Sequence, residues 1–163
     1  MMKNAVVYYS LTGNTDLTAK KISEALGAKL IRIKPVKDYP DSGAKKFLWG
    51  GKSAVMKDEP ELLPYSFNAG EFDRVIFGTP VWASTFTPPI RTFINENRDA
   101  LKGKRIAVFT CFSGGGAEKA INKLMKYLEI DSIDSKLILI DPKDKPDPAN
   151  DEKTEAFISS LKD

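Results

Sequence analysis

Short, nearly continuous apolar runs alternate with helical stripes along this chain, and few folds satisfy that pattern. Ala5 to Tyr9, Val75-Ile76-Phe77, Ile106 to Phe109 and Leu137 to Ile140 are too short for helices and too apolar for half-exposed strands. They read as strands buried on both faces. Lys29 to Lys34 alternates instead, with Leu30, Ile31 and Ile33 as its apolar members, and suits an edge strand. Thr15 to Leu26 has helical spacing, with Leu17, Ile22 and Leu26 on one side and Gly27 where a helix stops. Pro88-Pro89 fits a first helical turn, after which Ile90, Phe93, Ile94 and Asn97 share a face. Ala117, Ile121, Leu124, Met125 and Leu128 form the clearest stripe, and Phe157, Ile158 and Leu161 give a terminal helix. The 35–71 connection holds Pro35, Pro40, Pro60 and Pro64, and a further helix near 43–57 through Phe47, Leu48, Gly51 and Val55. The pair Gly50-Gly51 weakens that helix.

A strand-helix unit repeated five times implies a parallel sheet covered on both faces. Right-handed crossovers then make a doubly wound, three-layer α/β/α sandwich, expected to span 1–163 as one domain. Ligands in such sheets bind beyond the carboxyl ends of the strands, where strand order reverses. The informative loops are therefore 10–15, 79–87 and 111–116.

Composition narrows the chemistry before those loops are read. The chain has no histidine and one cysteine, which excludes Ser-His and Cys-His nucleophilic sites, His-ligated metals and zinc clusters. A lone Cys111 also excludes an internal disulfide and suits a reducing cytosol. No apolar run approaches the roughly 20 residues needed to span a bilayer, and the N-terminus lacks a signal-peptide pattern. A cytoplasmic protein with no membrane role is expected. The net charge is +3 but unevenly spread: residues 1–57 carry 11 Lys/Arg against 4 Asp/Glu, and residues 58–163 carry 14 against 18. The basic third would attract an anion, or is simply a solvated surface. No compact basic stripe with interleaved aromatics points to nucleic acid.

Ser10-Leu11-Thr12-Gly13-Asn14-Thr15 lies between a strand and a helix. A helix N-terminus offers free N–H groups and the positive end of its dipole, a setting for phosphate. Ser10, Thr12 and Thr15 add hydroxyls, Asn14 an amide, and Gly13 close backbone approach. With no Lys or Arg in the loop, a phosphate there would be held by neutral dipoles. The loop has neither a Gly-Lys-Ser/Thr ending nor G-x-G-x-x-G, so it is neither a P-loop nor a dinucleotide fingerprint. Alone it reads equally as a capped turn, with Asn14 or Thr12 as N-cap. Thr79-Pro80-Val81-Trp82-Ala83 sets a tryptophan past a strand end, either to stack on a planar ligand or to cover core. Cys111-Phe112-Ser113-Gly114-Gly115-Gly116 strips side chains from three positions, leaving backbone to approach a ring edge, or a plain turn. Cys111 itself reads as a buried structural thiol rather than a redox centre. Taken together, the three loops suit an aromatic ring system bearing one phosphate.

These residues resemble the flavodoxin-like family. Val6-Val7-Tyr8-Tyr9-Ser10-Leu11-Thr12-Gly13-Asn14-Thr15, followed by Ala19 and Ile22, is similar to the flavodoxin signature, and the five strand-helix units cover the whole chain. The resemblance implies a five-stranded parallel sheet in the order 2-1-3-4-5, with FMN at the β1/β3 switch point. It implies that Ser10, Leu11, Thr12, Gly13, Asn14 and Thr15 hold the FMN phosphate. Thr79, Pro80, Val81, Trp82 and Ala83 would flank the isoalloxazine, and Cys111, Phe112, Ser113, Gly114, Gly115 and Gly116 would meet its pyrimidine edge. It implies an electron-transfer flavoprotein working with a redox partner protein or a small-molecule electron donor or acceptor. An NAD(P)H-dependent quinone or FMN reductase on the same fold is the alternative. The chain departs from the family in being slightly basic and in lacking the tyrosine that commonly stacks on the outer flavin face. Phe112 stands in that loop instead; otherwise the face is open to a substrate. A response-regulator-like domain would need aspartates at the strand ends; none precedes Asp16 after the first strand, and none lies in 79–87.

Overall fold

The computed structural model describes residues 1–40 and 51–162. Its strands are β1 (Asn4–Tyr8), β2 (Lys29–Arg32), β3 (Arg74–Trp82), β4 (Thr85–Phe86), β5 (Arg105–Phe112) and β6 (Lys136–Ile140). Its helices are α1 (Asn14–Leu26), α2 (Pro88–Glu96), α3 (Arg98–Leu101), α4 (Ala117–Leu128) and α5 (Pro148–Leu161), with a 3-10 turn at Ala69–Glu71. Residues 51–55 are helical, within the stretch expected at 43–57. Phe47, Leu48 and Trp49 lie outside the described residues.

The sheet order is β2-β1-β3-β5-β6, and these five strands are parallel. Short β4 pairs antiparallel with the end of β3, and once it is set aside the order is the doubly wound one expected. Successive residues of each central strand point to opposite faces. Ala5, Val7, Val75, Phe77, Ile106 and Val108 pack beneath Ile90, Phe93 and Ile94 of α2 and Ile121 and Leu124 of α4. Val6, Ile76, Ala107 and Phe109 pack beneath Ala19 and Ile22 of α1 and Phe157, Ile158 and Leu161 of α5. Both faces are dry, which is why the runs read as continuous rather than alternating. Burial of each large side chain in these layers contributes about 1.5–3 kcal/mol.

Two local readings change. The strand read at Val75-Ile76-Phe77 does not end before Thr79; it runs through Gly78-Thr79-Pro80 to Trp82. Tyr9 N–H donates to the Gly78 carbonyl, so Gly78 and, two residues on, Pro80 face the β1 side. β1 has already ended at Tyr8, so the N–H that Pro80 lacks has no partner to miss. Likewise Cys111 and Phe112 belong to β5 rather than to the loop after it. On α1 the buried face is Asn14, Thr15, Thr18, Ala19 and Ile22, while Leu17 and Leu26 are only half-buried. Small residues let α1 lie close on the sheet, and apolar periodicity alone misses that.

The amino end of the sheet is locked by charge. Arg74, 1% exposed, donates from Nε to Asp134 (2.6 Å) and from Nη1 to Asn4 Oδ1 (3.2 Å) and the Leu161 carbonyl (2.9 Å). Arg105 Nε shares the same Asp134 oxygen at 2.8 Å. The start of β3 is thereby tied to β1, to the β5–β6 connection and to the end of α5. Among the described residues no helix is long and apolar enough to cross a membrane.

Candidate cofactor cleft

A cleft of about 240 Å³ opens at the carboxyl ends of β1, β3 and β5. The chain leaves β1 toward β2 and returns on β1's other side as β3, so the strand order reverses there. Of the residues marked from sequence, Ser10, Leu11, Thr12, Asn14 and Thr15 line the cleft from the first loop. Pro80, Val81, Trp82 and Ala83 line it from the end of β3 and its turn, and Cys111, Phe112 and Ser113 from the end of β5. Gly13, Thr79, Gly114, Gly115 and Gly116 do not line it.

The first loop is built to turn sharply into α1. Gly13 is the N-cap, with φ 101°, a conformation that costs a residue with a Cβ. Neither Asn14 nor Thr12 caps the helix; Ser10 does the work from further back. Its Oγ accepts from Gly13 N–H (3.2 Å) and from Asp16 N–H (3.1 Å). Asn14 is turned to the loop after β6: its Oδ1 accepts from Lys143 N–H (2.8 Å), and its Nδ2 donates to Asp144 (2.8 Å). Thr15 is 1% exposed, and among the described residues its Oγ1 has no oxygen or nitrogen partner, only the buried Cys111 thiol nearby. A buried hydroxyl without a partner forfeits about 1–3 kcal/mol, so this one is poised for a ligand atom.

Charge enters from outside the loop itself. Lys143 Nζ donates to the Thr12 carbonyl (2.9 Å), and Arg32 Nη2 to the Ser10 carbonyl (3.3 Å). The loop has no cation of its own, but two bind its carbonyls. Asp141 and Asp144 line the cleft as well, as does Gly51. Sequence reasoning missed all three. For the two aspartates a signal existed: the loop after the last strand also lies at the carboxyl edge. Asp141 is bridged by Lys145 (3.3 Å). On the first turn of α1, Asp16 is partly buried, which works against its charge. Hydrogen bonds from Lys20 and Tyr8 and the charges of Lys20 and Arg32 outweigh that and hold its carboxyl below the usual range.

The aromatic wall is braced. Trp82 meets Tyr9 edge-to-face at 5.8 Å and Tyr39 at 4.9 Å. Tyr9 OH donates to Asp38 (2.7 Å), and Tyr39 OH is 3.1 Å from Ser53 Oγ, which fixes both supporting rings. Burial and the Asp38 hydrogen bond push the Tyr9 hydroxyl well above the usual phenol range. Thr79 is a structural residue: its Oγ1 accepts from Thr87 N–H (3.0 Å) and donates to the Pro80 carbonyl (2.8 Å). Cys111 is 4% exposed with its Sγ 3.7 Å from Thr18 Oγ1. Burial pushes its thiol up to about 11, the Thr18 and Thr15 hydroxyls offsetting part of this. At neutral pH it is a protonated wall atom. Gly114 and Gly115 face open space, while Gly116 (φ 86°) sits where a Cβ would fall 2.1 Å from Ser84 Oγ.

A helix N-terminus, clustered hydroxyls and a braced indole, gathered at the switch point of a doubly wound sheet, define a protein that takes a phosphorylated planar ligand. The chain belongs to the flavodoxin family, whose model matches residues 3–145. Solved structures share its fold at low identity. A Lactobacillus acidophilus NCFM flavoprotein in complex with FMN superposes with a TM-score of 0.71 at 20% identity, covering 88% of this chain and 96% of its own. A candidate flavoprotein from Bacteroides uniformis ATCC 8492 gives 0.75 at 22%, covering 97% and 98%. Two-electron reduced Megasphaera elsdenii flavodoxin gives 0.58 at 19%, covering 96% and 99%.

Proposed function

We propose that the protein binds FMN in this cleft and carries electrons through it, exchanging them with a redox partner protein or a small-molecule donor or acceptor. The observation that carries the reading is Thr15 Oγ1, buried at the N-terminus of α1 and on the wall of the cleft, with no oxygen or nitrogen partner among the described residues. A phosphate oxygen is the acceptor such a hydroxyl lacks. Ser10, Thr12, Asn14 and Thr15, with the first N–H groups of α1, would hold the phosphate. Val81, Trp82 and Ala83 would flank the ring, and Cys111, Phe112 and Ser113 would close its other edge. The similar Lactobacillus protein in complex with FMN supports this assignment.

Bound flavin supplies reversible electron uptake; the chain binds it, orients it and sets its potential. No Lys or Arg lies in 79–85 or 111–116, and Asp141 and Asp144 line the cleft. Both facts disfavour added negative charge on the ring. The midpoint potential of the bound flavin is therefore expected below that of free FMN, and a potentiometric titration placing it above would contradict this.

A second reading, an NAD(P)H-dependent quinone or FMN reductase, is favoured by a groove lined by Lys57, Arg91, Lys123 and Lys126 beside the β3–β4 hairpin. The visible spectrum of the purified protein, with and without added FMN, tests the cofactor: a colourless protein that takes up no FMN ends both readings. Stopped-flow mixing with NADPH then separates them. Reduction only through an added reductase supports the carrier, and fast direct bleaching supports the enzyme.

A further inference from the structure

Behind the β3–β4 hairpin lies a second concavity, a groove of about 520 Å³. Its charged lining is one-sided: Lys57, Arg91, Lys123 and Lys126 line it, and among the described residues no carboxylate does. Arg91 is the unusual member. It is 7% exposed, and its guanidinium sits between two rings, 4.5 Å from the centre of Phe86 and 4.4 Å from that of Tyr127. Among the described residues its guanidinium makes no hydrogen bond or ion pair. The two rings recover part of the cost of burying the charge, but they satisfy none of the guanidinium N–H donors. Tyr127 is itself held: Arg98 lies 4.6 Å from the ring centre and donates to the Tyr127 carbonyl. The carboxylate near this ring, Glu59, accepts from Tyr127 OH and Asn95.

The geometry points to a binding site for the phosphate or diphosphate group of a small molecule, centred on Arg91 and completed by Lys57, Lys123 and Lys126. A guanidinium immobilised by stacking presents a planar fork that matches two oxygens of one phosphate, and little rotamer freedom remains to be lost on binding. An acidic protein surface would meet Lys57 and Lys126 but would not reach a guanidinium buried this far. The site is next to the flavin cleft. Thr85 on the groove wall is the cross-strand partner of Trp82 on the cleft wall, which puts their backbones about 5 Å apart. Lys123 Nζ, donating to Thr85 Oγ1 at 2.9 Å, joins the groove to that same hairpin.

The test is calorimetric titration of the FMN-saturated protein with pyrophosphate, so that the phosphate subsite of the cleft is already filled. Saturable submillimolar binding is expected, weakened roughly tenfold or more by Arg91→Lys, which keeps the charge but loses the fork. Lys126→Glu, an exposed change, is expected to do the same, and both variants should retain FMN affinity. Competition by NADPH that is tighter than pyrophosphate itself would give the phosphate to a nucleotide; weaker competition would give it to free phosphates. Either supports the site. Three results would overturn it: no binding to the wild type, binding indifferent to both substitutions, or binding only when FMN is absent. Binding of polyglutamate without any of pyrophosphate would also overturn it, in favour of an acidic protein partner.

Discussion

Among the described residues two threonine hydroxyls are buried without an oxygen or nitrogen partner, Thr15 Oγ1 and Thr110 Oγ1, and their positions give them opposite meanings. Thr110 is fully buried on β5 and does not line the cleft, so its hydroxyl only costs. Thr110→Val keeps the β-branched shape and is expected to raise stability by about 1 kcal/mol, read from the urea midpoint. Thr15→Val should stabilise the ligand-free protein by a similar amount and weaken FMN binding roughly tenfold, the worth of one lost hydrogen bond to a charged oxygen. Flavin fluorescence titration of the two variants separates them; unchanged affinity in Thr15→Val would make that hydroxyl a packing accident. The sequence marks Thr15 because it opens a helix after a buried strand. Nothing marks Thr110, because whether a hydroxyl at the end of an apolar run finds a partner depends on neighbours that only the fold supplies. The same holds for Asp144 and Lys143, more than 120 residues from the Asn14 they bind.

The element that departs most from expectation is the β3–β4 hairpin. A Gly-Thr-Pro stretch reads as the end of a strand, and the following segment has none of the Asn-Gly or Asp-Gly chemistry that announces a tight hairpin. The structure nevertheless pairs Val81 with Phe86 and Trp82 with Thr85, joined by Ala83 (φ 49°) and Ser84 (φ 55°). Positive φ at both central positions is the type I′ arrangement, and here neither residue is glycine, so the turn is strained by about 1 kcal/mol or more at each. Packing repays it: Ser84 rests directly on Gly116, and Lys123 of α4 bonds Thr85. The turn sets Trp82 and Ala83 on the cleft wall. Ser84→Gly is expected to stabilise the protein by about 1 kcal/mol, measurable as a rise in Tm. A fall would mean that the Ser84 contact with Gly116 outweighs the backbone strain. Elsewhere the elements were plain from pattern. Ile90, Phe93 and Ile94 behind Pro88-Pro89, and Ile121 and Leu124 behind Ala117, are buried as their spacing required. Periodicity fails for α1, where Thr18 and Ala19, not Leu17, face the sheet.

At the scale of the molecule the two ends of the sheet are built differently. The carboxyl end holds unpartnered donors and strained turns; the amino end is fully tied through Arg74, Asp134 and Arg105. Asp134→Ala leaves Arg74 buried with its charge uncompensated and is expected to cost about 3 kcal/mol while FMN affinity, decided at the opposite end, stays the same. The hydroxyls of Tyr8 and Tyr9 set a second property of the whole fold, its alkaline limit. Both side chains are buried. Desolvation, reinforced by hydrogen bonds to Asp16 and Asp38, raises both above the ordinary phenol value of 10.0. Burial raises Cys111 above its ordinary 9.0 in the same direction. A group whose folded pKa is raised contributes its full stability below the unfolded pKa and loses it as pH climbs toward the folded one. The profile should therefore be level to about pH 9 and then fall, each buried phenol removing about 1.4 kcal/mol per pH unit once the unfolded chain ionises and the folded one does not. Urea midpoints between pH 8 and 11 measure the slope. Tyr8→Phe, which cannot ionise in either state, should make the decline shallower by one group, and a wild-type profile flat to pH 11 would show that the two phenols ionise as freely in the folded protein as in the unfolded chain.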